Sequence, residues 1–132
     1  MKNFLNTAAG VLMAISGLGD GTPLGKMLLR QAGRIAINRT VAGVHFPMDS
    51  RAGQILGTCL AEYVHSRATG KAWLRHRSFD ANSCLGDDFL GYPADETDSV
   101  HGKGLTIIDK AKPVPKSLLL ASLWAEANKE WK

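Results

Sequence analysis

Four stretches of this chain repeat apolar residues at intervals of three and four, the spacing that lines one face of a helix. The first runs near Asn3 to Ser16, with Leu5, Ala8, Leu12 and Ile15 on its face, and breaks where Gly17, Gly19 and Gly21 gather around Asp20. The second starts at Thr22, a good N-cap, with Pro23 at the first helical position. Leu24, Met27, Leu28, Gln31 and Ile35 share one side of it, Lys26, Arg30 and Arg34 lie away, and the pattern ends near Ile37 or Asn38. A short loop, Val41 to Val44, leads through His45 and Phe46 to Pro47, which opens a third helix. Its expected buried face is Ala52, Ile55, Leu56, Cys59, Leu60 and Tyr63. Gly53 and Gly57 leave room for a close neighbour, each at about 1 kcal/mol of helix propensity. From Gly70 to Gly104 the pattern fades. Leu105 to Ile108 fits a short strand or an extended segment, Pro113 and Pro115 form a stiff connector, and a last helix carries Leu120, Leu123, Trp124, Ala127 and Trp131 on one face. No internal repeat is present. The pattern predicts an all-α helical bundle interrupted by one long irregular segment.

Composition narrows this only a little. The chain has 132 residues, 45% hydrophobic and 21% charged, which suits one globular domain. Its net charge is a modest +4, and its basic residues include Arg30, Arg34, Arg39 and Arg51 in one third of the chain and Arg67, Lys71, Arg75 and Arg77 in the next. Only Trp73 and Phe79 stand near the second group, so the basic and aromatic interleaving expected of a nucleic-acid surface is missing. Cys59 and Cys84 fit no metal spacing; Cys59 falls on an apolar face and a buried free thiol is the preferred reading, with a disulfide between the two as the alternative. No apolar run is long enough to span a bilayer. Lys2 followed by the apolar stretch Ala8 to Leu18 has the outline of a signal peptide, but no Ala-x-Ala site follows, and a core helix is the preferred reading. A soluble protein, cytoplasmic rather than exported, is the expectation.

The chemistry concentrates between the second and third helices, in Asn38-Arg39-Thr40-Val41-Ala42-Gly43-Val44-His45-Phe46-Pro47-Met48-Asp49. Its skeleton is Arg, five residues, His, three residues, Asp. Asp49 falls in the first turn of the helix opened by Pro47, where the helix dipole favours negative charge. His45 lies just before that turn, within reach of Asp49. A carboxylate that accepts from one ring nitrogen fixes the tautomer and leaves the other nitrogen as a nucleophile or ligand. Arg39, at the end of the preceding helix, offers a guanidinium fork suited to a tetrahedral oxyanion. A nucleophile, an acid that orients it and an oxyanion clamp are the parts of phosphoryl transfer through a covalent histidine intermediate.

This segment resembles the third signature motif of the phosphatidic acid phosphatase type 2 / vanadium-dependent haloperoxidase superfamily, Ser-Arg-x5-His-x3-Asp. The frequent Gly-Val-His-Tyr-Pro-x-Asp context of that family is matched by Gly43-Val44-His45-Phe46-Pro47-Met48-Asp49, with Asn38 in place of the usual Ser. The likeness is strong from about Leu24 to Tyr63 and weaker over Leu118 to Trp131. It implies an all-α bundle in which Arg39 and Gly43 contact phosphate or vanadate, His45 is the phosphate-accepting nucleophile or the vanadium ligand, and Asp49 orients His45. It implies no cofactor for a phosphatase and vanadate for a haloperoxidase. Arg51, Gln54, Glu62 and Arg67 interrupt the helix that follows the motif, which points to the soluble branch of the family. The two upstream motifs of the family, Lys-x6-Arg-Pro and Pro-Ser-Gly-His, are absent. The chain is therefore expected to form the C-terminal part of a larger domain, with an apolar surface where the rest docks.

Three functions stay open on these residues. One is hydrolysis of small phosphate esters, another is oxidation of halide by peroxide, and a third is a non-catalytic relic that self-associates or pairs with a chain carrying the other motifs. The remaining candidates are weaker. His65, His76 and His101 have no ligand spacing and read as structural or exposed; Glu62 and His65 are helical neighbours that could simply pair on the surface. Gly102-Lys103-Gly104 lacks the phosphate-loop pattern. The acidic run Asp87, Asp88, Asp95, Glu96 and Asp98 lacks calcium-loop spacing.

Overall fold

The computed structural model describes residues 22–72, 74–84, 105–108 and 112–130. Among them are three helices, α1 (Pro23–Val41), α2 (Pro47–Thr69) and α3 (Leu118–Glu130), with two short strands, β1 (Arg77–Phe79) and β2 (Leu105–Ile107), between α2 and α3. The expected helix near Asn3 to Ser16 and the acidic run Asp87 to Asp98 lie outside the described residues, as does Trp131.

Helix α1 starts as its sequence demands. Thr22 is extended, its Oγ1 accepts the Gly25 N–H at 3.1 Å, its carbonyl accepts the Lys26 N–H at 2.9 Å, and Pro23 fills the position whose N–H would be unsatisfied. The helix runs to Val41, past the end expected near Ile37 or Asn38. The apolar pattern faded there, but the stop signal is Gly43, five residues on. Helix α2 opens on Pro47 and ends on Gly70, whose φ of +75° places it in the left-handed region and whose N–H reaches Ser66 O at 2.8 Å. Helix α3 is capped by Ser117: its Oγ accepts from Leu120 N–H at 3.4 Å, and its own N–H donates to Arg67 O at 2.8 Å, tying the start of α3 to the end of α2.

Helix α2 is the central element, in contact with α1 on one hand and α3 on the other. Its buried residues are Ser50, Gly53, Gly57, Ala61, His65, Ser66 and Ala68. This corrects the sequence expectation. Of the face assigned to the core, Ala52, Leu56, Leu60 and Tyr63 are exposed, and Ile55 and Cys59 are half-buried. At about 100° per residue, the two faces point roughly 150° apart. Helix α1 follows the same rule, burying Gly25, Ala32 and Gly33 while Met27 stays 65% exposed. The buried hydrophobic residues of the described part are all alanines, Ala32, Ala61 and Ala68. Small side chains on a helix face allow a neighbouring backbone to come close, where large ones would hold it off.

The strands pair antiparallel, with Arg77 opposite Ile107, Ser78 opposite Thr106 and Phe79 opposite Leu105. A further bridge joins Leu74 to Lys112. Leu105–Ile107 is thus a strand, as its sequence allowed. Its partner, and the 3-10 turn at Ala81–Cys84, were not foreseen in a region where the apolar pattern fades.

Candidate functional site

The segment from Asn38 to Asp49 is a helix stop followed at once by a helix start. At the stop, Ala42 N–H donates to Asn38 O at 2.9 Å, Gly43 N–H to Thr40 O at 2.9 Å and Val44 N–H to Arg39 O at 3.2 Å. With Gly43 at φ +69°, this is a Schellman motif. The backbone of Arg39 is thereby bonded to the residue next to His45. Gly43 contributes its left-handed conformation; its N–H is given to Thr40 O, so the phosphate contact expected of it is not made through that donor. At the start, Phe46 is extended at φ −90° and ψ 149°, as the residue before a proline prefers, and Pro47 is the first helical residue. Phe46 has no side-chain capping bond. Asp49 supplies the negative charge in the first turn of α2.

This geometry brings His45 and Asp49 together. His45 Nδ1 lies 3.7 Å from Asp49 Oδ2, with the side chains 21% and 52% exposed. The distance suits an ion pair but is longer than a hydrogen bond, and a small side-chain rotation closes the gap. Asp49 faces Nδ1, and the other ring nitrogen, Nε2, is sealed from solvent. Arg39 is half-buried at the end of α1. Thr40, which sequence reasoning passed over, has a buried Oγ1 with no hydrogen-bond partner among the described residues. A hydroxyl beside a motif arginine is too common in sequence to stand out.

The other candidates separate from this site. His65 does not pair with Glu62 on a surface. It is buried at 7% exposure and meets Trp124 edge-on, with ring centroids 5.3 Å apart at 74°. Burial, and then the positive charge of Lys71, hold its imidazole below the ordinary histidine range. Glu62 instead binds Arg77 in a two-pronged pair, Nη1 to Oε2 at 2.6 Å and Nη2 to Oε1 at 2.5 Å, and it also accepts the Arg75 N–H at 3.3 Å. The side chain of Arg77 is only 4% exposed. Its bonds to Glu62 raise the guanidinium above its already high ordinary value against the opposing effect of burial. This pair links α2 to β1 across 15 positions, and no sequence spacing signals it. Cys59 is a free thiol, half-buried rather than buried, 3.6 Å from Arg77 Nη1. His76 is exposed, and His101 lies outside the described residues.

Among the described residues no cluster of His, Cys, Asp and Glu could hold a metal ion, and no helix is long and apolar enough to cross a membrane. For vanadate, the motif offers one imidazole and one guanidinium to a group with several anionic oxygens, and the ring nitrogen that would bind it is sealed. Comparison with protein-family models, curated proteins and solved structures found no match.

Proposed function

We propose that the segment from Arg39 to Asp49 is the nucleophile and oxyanion part of a histidine phosphatase acting on small phosphate esters. The observation that carries this reading is the approach of His45 Nδ1 to Asp49 Oδ2 at 3.7 Å across the Pro47 helix start. A proton held on Nδ1 by the carboxylate leaves Nε2 basic, the state a nucleophile needs. Nε2 attacks phosphorus, the P–O bond to the alcohol breaks, and the alkoxide takes a proton from water. A second water then cleaves the P–N bond and returns the imidazole. Arg39 neutralises charge on the phosphoryl oxygens. Because Nε2 is sealed from solvent, a rotation of the His45 ring precedes attack.

Two family motifs that would supply more cationic contacts and the leaving-group acid are absent from the sequence. A partner chain carrying those groups suits this reading, and the exposed Leu56, Leu60 and Tyr63 on α2 offer an apolar surface for one. The test is trapping with a radiolabelled phosphate monoester at a range of pH, followed by mapping of acid-labile phosphate. Label on His45 that is lost in His45→Ala and slowed in Asp49→Asn supports the reading. A His45 that never carries phosphate, in a chain that still binds phosphate through Arg39, would reduce the segment to a non-catalytic anion site. Tight vanadate binding with peroxide-dependent halide oxidation would turn the reading to a haloperoxidase.

A further inference from the structure

We propose that the exposed ridge of α1 and the tip that follows it form a docking face for an anionic membrane surface. Lys26, Arg30 and Arg34 meet the headgroups, and Val41, Val44 and Phe46 enter the boundary beneath them. No helix of the described part is long and apolar enough to cross a bilayer, so the contact lies on the surface.

Helix α1 carries Lys26, Arg30, Arg34 and Arg39 and no acidic residue. At about 100° per residue, Lys26, Arg30 and Arg34 lie within an arc of roughly 80° and along about 12 Å of the helix. All three are exposed, and among the described residues none has a carboxylate in ion-pair reach. Like charges four residues apart repel, and Lys26 stands close to the positive end of the helix dipole. Cations set in a row at a cost to their own helix are explained by an anionic surface outside it.

The ridge runs into an apolar tip. Val41 falls inside the same arc at the last position of α1 and is 82% exposed. Val44 and Phe46 follow at 65% and 76%. The turn through Gly43 and the helix start at Pro47 hold the backbone between them, so seating the tip costs little ordering. Phosphates of a nucleic acid would answer the cations and leave the tip in water. A bilayer boundary answers both, headgroups to the cations and acyl chains to the tip. Asp49, in the first turn of α2, is an opposing charge at this end, one carboxylate against three cations. The face uses neither Arg39 nor His45, so it stands apart from the phosphatase reading.

The test is flotation of the full 132-residue chain with vesicles of phosphatidylcholine alone, and of phosphatidylcholine with about a quarter phosphatidylserine. The chain should float with the anionic vesicles, and added salt should release it. Each Lys or Arg near an anionic surface is worth about fivefold, so Lys26→Gln/Arg30→Gln/Arg34→Gln should cut the partition about 100-fold. Arg30→Lys/Arg34→Lys keeps the charge and should keep the binding, which separates lost charge from a disturbed helix. Phe46→Trp should add fluorescence that brominated acyl chains quench, over the wild-type signal. The proposal fails if neutral vesicles bind equally, if the triple variant floats as the wild type does, or if brominated chains leave the Phe46→Trp signal untouched. It fails too if His45→Ala abolishes flotation, since the vesicles would then be held through the motif. Duplex DNA or polyglutamate held through the same three cations, with no vesicle bound, would assign the ridge to a nucleic acid or an acidic protein and overturn it.

Discussion

Replacing Glu62 by Leu strands the guanidinium of Arg77. In the native state that group is 4% exposed and gives both Nη nitrogens to Glu62, which also accepts the Arg75 N–H. After Glu62→Leu, all of those bonds go and a charge remains in a poorly solvated place. Removing one partner of a buried pair costs about 3–5 kcal/mol. Glu62 is itself 16% exposed, so water reaches the vacated position in part, and about 3 kcal/mol is the reasonable figure. Arg77→Met leaves Glu62 unpaired but closer to solvent, and should cost less, about 2 kcal/mol. The double variant Glu62→Leu/Arg77→Met leaves no charge behind and should fall within about 1 kcal/mol of the wild type. Urea unfolding followed by far-ultraviolet circular dichroism measures all four proteins, and the cycle gives the coupling directly. The melting temperature of Glu62→Leu should drop by roughly 10 °C. If Glu62→Leu costs under about 1 kcal/mol, or the double variant is as unstable as the two singles summed, the pair does not hold α2 to the sheet as described.

Four further outcomes are expected. Gly43→Ala meets no atom within 4 Å but forces alanine to φ +69°, so it should cost about 1–2 kcal/mol in the same unfolding assay; a neutral result would mean that the stop of α1 does not depend on the left-handed residue. His65 is held below its ordinary value of 6.5 in the fold, while the unfolded chain takes a proton near that value. The unfolded state therefore binds more protons below about pH 6.5, and unfolding free energy should decline from there as pH falls toward the lowered native value. His65→Gln should remove that part of the slope, and equal slopes in both proteins would contradict the burial. The purified 132-residue chain should hydrolyse phosphate monoesters at or near background, since loss of one transition-state donor alone takes about 10²–10³ from the rate; brisk turnover would point to substitute residues. Sedimentation at falling protein concentration should show self-association reduced by Leu56→Lys/Leu60→Lys, and a monomer at every concentration would leave the α2 surface without a partner.

What could be foreseen from sequence was local. Thr22-Pro23 and Phe46-Pro47 set the two helix starts because caps and prolines act on the adjacent backbone alone. The closeness of His45 and Asp49 followed from the same logic: a proline between them begins a helix, and a residue just before a helix lies near the side chain in its first turn. The end of α1 was missed by a few residues because the apolar pattern stops before the helix does, whereas the glycine that ends it acts from beyond the last turn. The pairing of Glu62 with Arg77 depends on how β1 returns to α2, which no local spacing encodes.

The rotated face of α2 has a different origin. Hydrophobic periodicity weighs side chains by size, and by that measure Leu56, Leu60 and Tyr63 outrank Ser50, Gly53, Gly57 and Ala61. Packing rewards contact, and contact also comes from bringing backbones close, which large side chains prevent. Gly53 and Gly57 weaken the helix by about 1 kcal/mol each, a loss that makes sense only where something lies against them. Both glycines are buried, and so are Ser50 and Ala61 at the spacing of one helix face. The glycines were therefore the stronger marker of the inner side, and the leucines were left to the outside. The outer stripe is then apolar without being core, on the same helix that presents Asp49 to His45. A partner bound along that stripe would lie beside the first turn of α2, within reach of groups the motif itself does not supply.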